Sequence, residues 1–156
     1  MKRPLTKSLN YATMELINLN PKLRKETMAK NSEKQLSRWQ RALTDLNAIN
    51  SNDKVESYYT ANWASSSFAI FATWRKGTLL FTKERLVFMT TFGVNQLTID
   101  YGDIREAKKC FAGLLPMGML VVAYDKKTDK TKKYKFWVTG RKKLIRQIAE
   151  KAGLAQ

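Results

Sequence analysis

From Lys54 onward the sequence breaks into seven short β-prone runs separated by polar turns, and its period then changes once, to that of a helix. Between Lys54 and Trp63, Val55, Ser57, Tyr59 and Ala61 alternate with Glu56, Tyr58 and Thr60, the pattern of a strand with one face toward a core. Gly77 to Phe81 and Leu86 to Thr91 flank the polar turn Thr82-Lys83-Glu84-Arg85. After a break at Gly93, Leu97, Ile99 and Tyr101 alternate with Thr98 and Asp100. Ile104 to Phe111, Met119 to Tyr124 and Lys132 to Val138 complete the set, the last two joined by the hairpin loop Lys126-Lys127-Thr128-Asp129-Lys130. Thr139-Gly140 then opens a helix whose apolar face is Leu144, Ile145, Ile148, Ala149 and Ala152, with Gly153 as its stop. Short strands followed by one helix predict an α+β, mainly β fold. It is a seven-stranded bent antiparallel sheet or barrel closed by the C-terminal helix, because open edges and apolar faces must be covered.

The chain before Asp53 reads differently. Leu5, Leu9, Ala12, Leu16 and Ile17 recur at helical spacing up to Asn20-Pro21, and a second helix starts within 22–32. Its apolar seam is Leu36, Trp39, Leu43, Leu46 and Ile49, which either packs on the following domain or makes a dimer contact. Asn50-Ser51-Asn52-Asp53 favours turns over helix or strand. The expected organisation is a helical extension over 1–50 and a β-domain over 54–152.

Charge sets the sign of any partner. Lys and Arg number 29 against 13 Asp and Glu, a net of +16. Residues 126–146 hold ten of these cations, with Asp129 as the only acid. Such an excess favours nucleic acid, anionic lipid or an acidic protein. The 156 residues contain no histidine and one cysteine, Cys110, so neither a histidine- or cysteine-based zinc site nor a Ser–His or Cys–His nucleophile can be assembled. Cys110 reads as a small buried or half-buried strand residue. No recognisable acid–base pair appears among the carboxylates. The chain is therefore expected to be no enzyme and to need no cofactor or metal. Residues 57–74 lack charge but are rich in Ser, Thr and Asn, and 110–124 are broken by Gly113, Pro116 and Gly118; neither run suits a membrane span of about 20 apolar residues. The expected location is cytoplasmic, peripheral on the inner membrane face where lipid is the partner.

The hairpin Gly77-Thr78-Leu79-Leu80-Phe81-Thr82-Lys83-Glu84-Arg85-Leu86-Val87-Phe88 resembles the Gly-x-Leu-x-x-Thr-x-x-Arg-Leu-x-Phe motif of the PH-like superfamily, specifically GRAM-type and bacterial PH-like domains. Leu97 to Ile104 and the Tyr134-x-Phe136-x-Val138 strand running into the Arg141–Ala152 helix extend the resemblance over about 54–152. It implies that Thr82 and Arg85 shape the turn and that Leu79, Leu86 and Phe88 fill the core. It also implies a membrane-targeting or protein-docking module. The alternating Lys/Arg run of phosphoinositide-binding members is reduced here to Arg75-Lys76.

Three segments are candidate sites. Phe68, Phe71 and Trp74, followed by Arg75 and Lys76, suit a lipid interface or, alternatively, the core. Lys126, Lys127, Lys130, Lys132, Lys133 and Lys135, with Arg141, Lys142, Lys143 and Arg146, form a cationic region that is either a solvated face or an anion site. Arg141 to Lys143 fall in the first helical turn, where the dipole disfavours cations, which points to an external anion. Lys133, Lys135 and Trp137 face outward, and Trp137 suits a membrane surface or a stacked base. The third, Gly113 to Met119, is either a docking tip or a buried turn. The favoured partner is an anionic phospholipid surface, ahead of an acidic protein, with nucleic acid and a homo-dimer as alternatives.

Overall fold

The computed structural model describes residues 21–50, 52–64, 74–91, 96–112 and 115–154. The first short helix expected before Asn20 lies outside them. The chain divides into two compact units between Trp39 and Gln40. Helix α1, Pro21–Asp45, begins on a proline, whose missing N–H costs nothing in a first turn. In the first unit, Ser37 donates its hydroxyl proton to the Glu33 carbonyl one turn back, at 2.7 Å.

Within the second unit, α1 stops earlier than its apolar seam predicts. Asn47 adopts a left-handed φ of 52°. The N–H groups of Asn47 and Ala48 return to the carbonyls of Thr44 and Leu43, closing the helix end. Leu46 is left 48% exposed, whereas Leu43, Ala48 and Ile49 are buried.

The remainder is one seven-stranded antiparallel sheet, in agreement with the expected fold. Its strands are β1 Val55–Ala64, β2 Trp74–Thr82, β3 Arg85–Thr90, β4 Gln96–Asp100, β5 Ile104–Ala112, β6 Leu115–Asp125 and β7 Lys130–Val138. They are ordered β4-β3-β2-β1-β7-β6-β5. A 3-10 turn, Tyr101–Asp103, links β4 to β5, and helix α2, Arg141–Ala152, closes the domain. Strand β1 joins the halves, pairing with β2 over most of its length and with β7 through Ala61 to Ala64.

The core follows from alternation. Leu79 and Phe81 of β2, Leu86 and Phe88 of β3, Met119 and Val121 of β6, and Phe136 and Val138 of β7 meet Leu144 and Ile148 of α2. Burying an aliphatic or aromatic side chain of this size contributes roughly 1.5–3 kcal/mol, so the helix is held mainly by Leu144 and Ile148, both fully buried. Gly77 is required by space: an added Cβ would lie 2.7 Å from the Phe88 ring and 2.2 Å from the Met89 carbonyl oxygen.

The turn residues do what the resemblance implies. The Thr82 hydroxyl donates to Asp53 Oδ2 at 2.9 Å and accepts the Arg85 N–H at 2.9 Å. Asp53 Oδ1 accepts the Glu84 N–H at 3.1 Å. Asp53 is fully buried, so the last residue of the polar linker fastens the β2–β3 hairpin. Gln40 adds a clamp, donating to the Asp53 carbonyl and accepting the Val55 N–H. Burial, aided by the charges of Glu56 and Asp53, pushes the neighbouring Tyr101 hydroxyl far above its ordinary pKa.

Candidate functional site

Register places the candidate residues more finely than spacing can. Lys76, Asn62, Trp137, Gly118 and Cys110 are successive partners across β2, β1, β7, β6 and β5. Directly opposed residues project from the same face of a sheet. Two residues along, Trp74, Ala64, Lys135, Leu120 and Lys108 form the next rung of that face. Since Phe136 and Val138 point into the core, this is the outer face, and Lys133, Lys135 and Trp137 stand on it as alternation predicts.

The first candidate segment divides. Phe68 and Phe71 lie outside the described residues. Trp74, Arg75 and Lys76 are in β2 itself, because Trp74 pairs with Ala64 and draws the strand back three residues from its expected start at Gly77. The neighbours Arg75 and Lys76 therefore take opposite faces. Arg75 lies over the Trp63 ring at 5.7 Å, on the core side. Lys76 is exposed on the outer face, where Trp74 and Trp137 meet edge to face at 6.3 Å.

The cationic region divides as well. The hairpin loop lies beyond the start of β7, and the first turn of α2 follows its end. Lys130–Val138 is an extended strand of nine residues, so at about 3.3 Å per residue its ends are about 26 Å apart. Screening at physiological ionic strength acts over about 8 Å. The two groups of cations are electrostatically separate.

They also differ in what surrounds them. At the hairpin, Lys126 pairs with Asp103 at 2.8 Å and Lys132 pairs with Asp125. Tyr124 donates its hydroxyl proton to Asp129. The Lys132 ammonium, with the Lys127 N–H and the Thr128 hydroxyl, holds the Asp125 carboxyl down at about 2, and the bond to Asp103 holds the Lys126 ammonium above its ordinary range. No ion pair among the described residues reaches Lys127 or Lys130 of the loop, nor Lys76, Lys133, Lys135, Arg141, Lys142, Lys143 or Arg146.

The helix start is equally open. Gly140 occupies the N-cap with φ 73° and offers no side-chain cap. Arg141, Lys142 and Lys143 follow in the first turn, and one terminal guanidinium nitrogen of Arg141, Nη1, is buried with no hydrogen-bond partner. A buried donor in that state is uncommon in a finished structure. The Cys110 thiol is half-buried and within the electrostatic reach of Lys135 and Arg141. Burial raises its pKa, and the two cations act against that rise. Its sulfur sits where Gly118 has no side chain, 2.7 Å from the position of a Cβ. Lys142 and Arg146 also border a groove between β5 and α2, together with Arg105 and an apolar floor of Ala107, Ile145, Ala149 and Leu154.

Sequence reasoning missed the acids that occupy the hairpin cations, since Asp103 reaches Lys126 only through the fold. It also left Gly113–Met119 undecided between tip and buried turn. Residues 113–114 are outside the described set, but Phe111 and Met117 on either side are 65% and 42% exposed. Among the described residues, no helix is long and apolar enough to cross a membrane.

No sequence-family model matches the chain, and no curated protein does. Its fold is similar to the C-terminal domain of an unknown protein from Leishmania infantum, with a TM-score of 0.56 at 14% identity over 74% of this chain and 95% of that one. It is similar to the DH/PH domains of p115-RhoGEF, with a TM-score of 0.55 at 12% identity over 97% of this chain and 49% of that one. The PDZ-RhoGEF DH/PH domains, solved in complex with GTP-gamma-S activated RhoA, match with a TM-score of 0.56 at 10% identity over 79% of this chain and 40% of that one. The chain thus spans half or less of these DH/PH chains. The likeness shows a PH-like fold.

Proposed function

We propose that the β-domain is a non-catalytic PH-like module of the GRAM type that docks reversibly on an anionic membrane surface, with residues 1–50 as a helical extension to it. The observation that carries this reading is Trp137. It is 37% exposed on the outer face with Lys76, Lys133 and Lys135, cations that form no ion pair among the described residues. Trp at headgroup depth with Lys beside it is the arrangement that anionic bilayers attract. Each surface-bound Lys or Arg contributes about 1 kcal/mol, so these three with the first turn of α2 suffice for reversible attachment. The module would then work on the cytoplasmic side of a membrane, where anionic lipid is concentrated.

A protein partner is the second reading, favoured by the PDZ-RhoGEF DH/PH domains having been solved with RhoA bound. Nucleic acid is a competitor for the same cations. Co-sedimentation with neutral and anionic vesicles, at two salt concentrations and with or without duplex and single-stranded DNA, separates the three. The membrane reading expects retention on anionic vesicles alone, falling with salt. It also expects that Lys133→Glu with Lys135→Glu lowers affinity by about a hundredfold, since two attractive charges become repulsive. Retention of DNA but not of vesicles would transfer the function to nucleic acid, and retention of neither would leave a protein partner.

A further inference from the structure

Among the described residues five large apolar side chains are exposed: Met28, Leu46, Phe111, Met117 and Trp137. The last three lie within one residue of a single rung of the sheet. Trp137, Gly118 and Cys110 are partners on one rung, Phe111 follows Cys110, and Met117 precedes Gly118. Pairing of β6 with β7 ends at Gly118–Trp137, so β5 and β6 continue past that rung paired only with each other. Phe111 and Met117 are carried on this overhang. An overhanging hairpin that shows water a phenylalanine and a methionine keeps apolar surface that folding did not use.

Cations frame the same end. Met117 lines a hollow of about 460 Å³ with Val138, Thr139, Gly140 and the first-turn residues Arg141, Lys142 and Lys143. The buried, unpartnered guanidinium nitrogen of Arg141 belongs to that turn. Exposed apolar side chains beside a cluster of cations match the chemistry of an anionic monolayer, acyl chains inside and phosphates outside. A peptide groove would instead sink its anchor-binding surface, whereas Phe111 at 65% exposure stands proud of the fold.

We infer that Phe111 of β5 and Met117 of β6 form a hydrophobic anchor that enters the acyl boundary of an anionic membrane while Arg141 to Lys143 meet the phosphates. This rests on the membrane reading above and adds to it a point of insertion, and so a fixed orientation. Phe111, Met117 and the first turn of α2 face the bilayer, and the β6–β7 loop, about 26 Å up the strand, faces away from it.

The test uses the full chain and phosphatidylcholine vesicles with and without phosphatidylserine. Phe111→Ser with Met117→Ser is expected to lower affinity for the anionic vesicles about tenfold or more, and Phe111→Leu with Met117→Leu to restore most of it. Circular dichroism should show the serine variant folded, since both positions are exposed. A serine variant that sediments like the parent overturns the anchor and leaves the cationic surface standing. A parent chain that ignores anionic vesicles at low salt overturns the membrane reading itself, a different result. Should the serine variant melt early, Phe111→Trp with bromine-labelled acyl chains decides: quenching beyond that of the native tryptophans supports insertion, and none refutes it. Concentration-dependent dimerisation without lipid, abolished by the serine pair, would assign the tip to a second copy of the chain and also overturn the proposal.

Discussion

The two ends of β7 carry similar numbers of cations and yet differ in what those cations have left to give. At the β6–β7 loop, Lys126 and Lys132 are held by Asp103 and Asp125, Asp129 receives the Tyr124 hydroxyl, and only Lys127 and Lys130 are in no ion pair among the described residues. At the other end and along the outer face, Lys76, Lys133, Lys135 and Arg141 to Lys143 have no carboxylate partner among the described residues. A paired ammonium gains little from an external phosphate, because it must first give up a carboxylate of similar strength. Counting Lys and Arg along a sequence treats both ends alike; the difference lies in where the acids fold to.

The most damaging way to disturb that arrangement is to fill the space at Gly118. A Cβ there would lie 2.7 Å from the Cys110 sulfur and 3.0 Å from its carbonyl oxygen. Gly118→Val is expected to cost about 1–3 kcal/mol, as overpacking usually does, and to show as a lowered thermal midpoint. Gly118→Ala combined with Cys110→Ala should recover part of the loss, because the sulfur is the nearest obstacle. A Gly118→Val chain as stable as the parent would mean that β5 and β6 are not so closely apposed.

A smaller but more direct test converts one end into the other. Asp103→Asn with Asp125→Asn frees Lys126 and Lys132. With the loop facing away from the bilayer, affinity for anionic vesicles should rise by less than about twofold, because freed cations about 26 Å up the strand are screened. A rise of about three- to tenfold, about 1 kcal/mol per freed cation, would show that the loop reaches the surface and that acid pairing is what silences it. Asp45→Asn with Glu150→Gln, which changes net charge equally, is the control. An equal rise in both would reduce the contrast to net charge alone.

The least effect is expected from pH. The folded Asp125 carboxyl is held at about 2, below its ordinary value of 3.8, so its interactions favour the folded state above that ordinary value. This contribution is lost as pH falls from about 4 to about 2. The group is exposed, and the change should be local: carboxyl carbon resonances should give Asp125 a midpoint near 2. A midpoint at the ordinary value would show the loop cations to be as free as the rest.

The β-domain was legible because alternation and turn chemistry report on a chain's immediate neighbours. The seven runs became seven strands, Gly153 stopped α2, and the Thr82–Arg85 turn formed as the motif implied. Legibility failed where the decisive partner is distant in sequence. Asp53 reads as linker, and only the fold carries it to Thr82 and Glu84. Asp103 meets Lys126 because β5 follows the 3-10 turn back alongside β6. The exposure of Phe111 and Met117 is set by the point at which pairing with β7 ends, a matter of register to which local spacing is blind. The early start of β2 at Trp74 likewise depends on how far β1 extends to pair with it.

Gly118 has one further consequence. The chain has a single thiol, and it sits on the glycine, next in sequence to the exposed Phe111. Any thiol-directed label will therefore attach at one address, slowly, since burial keeps the thiolate scarce. Its alkylation rate becomes a clock for whatever covers that end of the molecule. Slowing in the presence of a partner would report occupancy there, without adding a foreign residue to the chain.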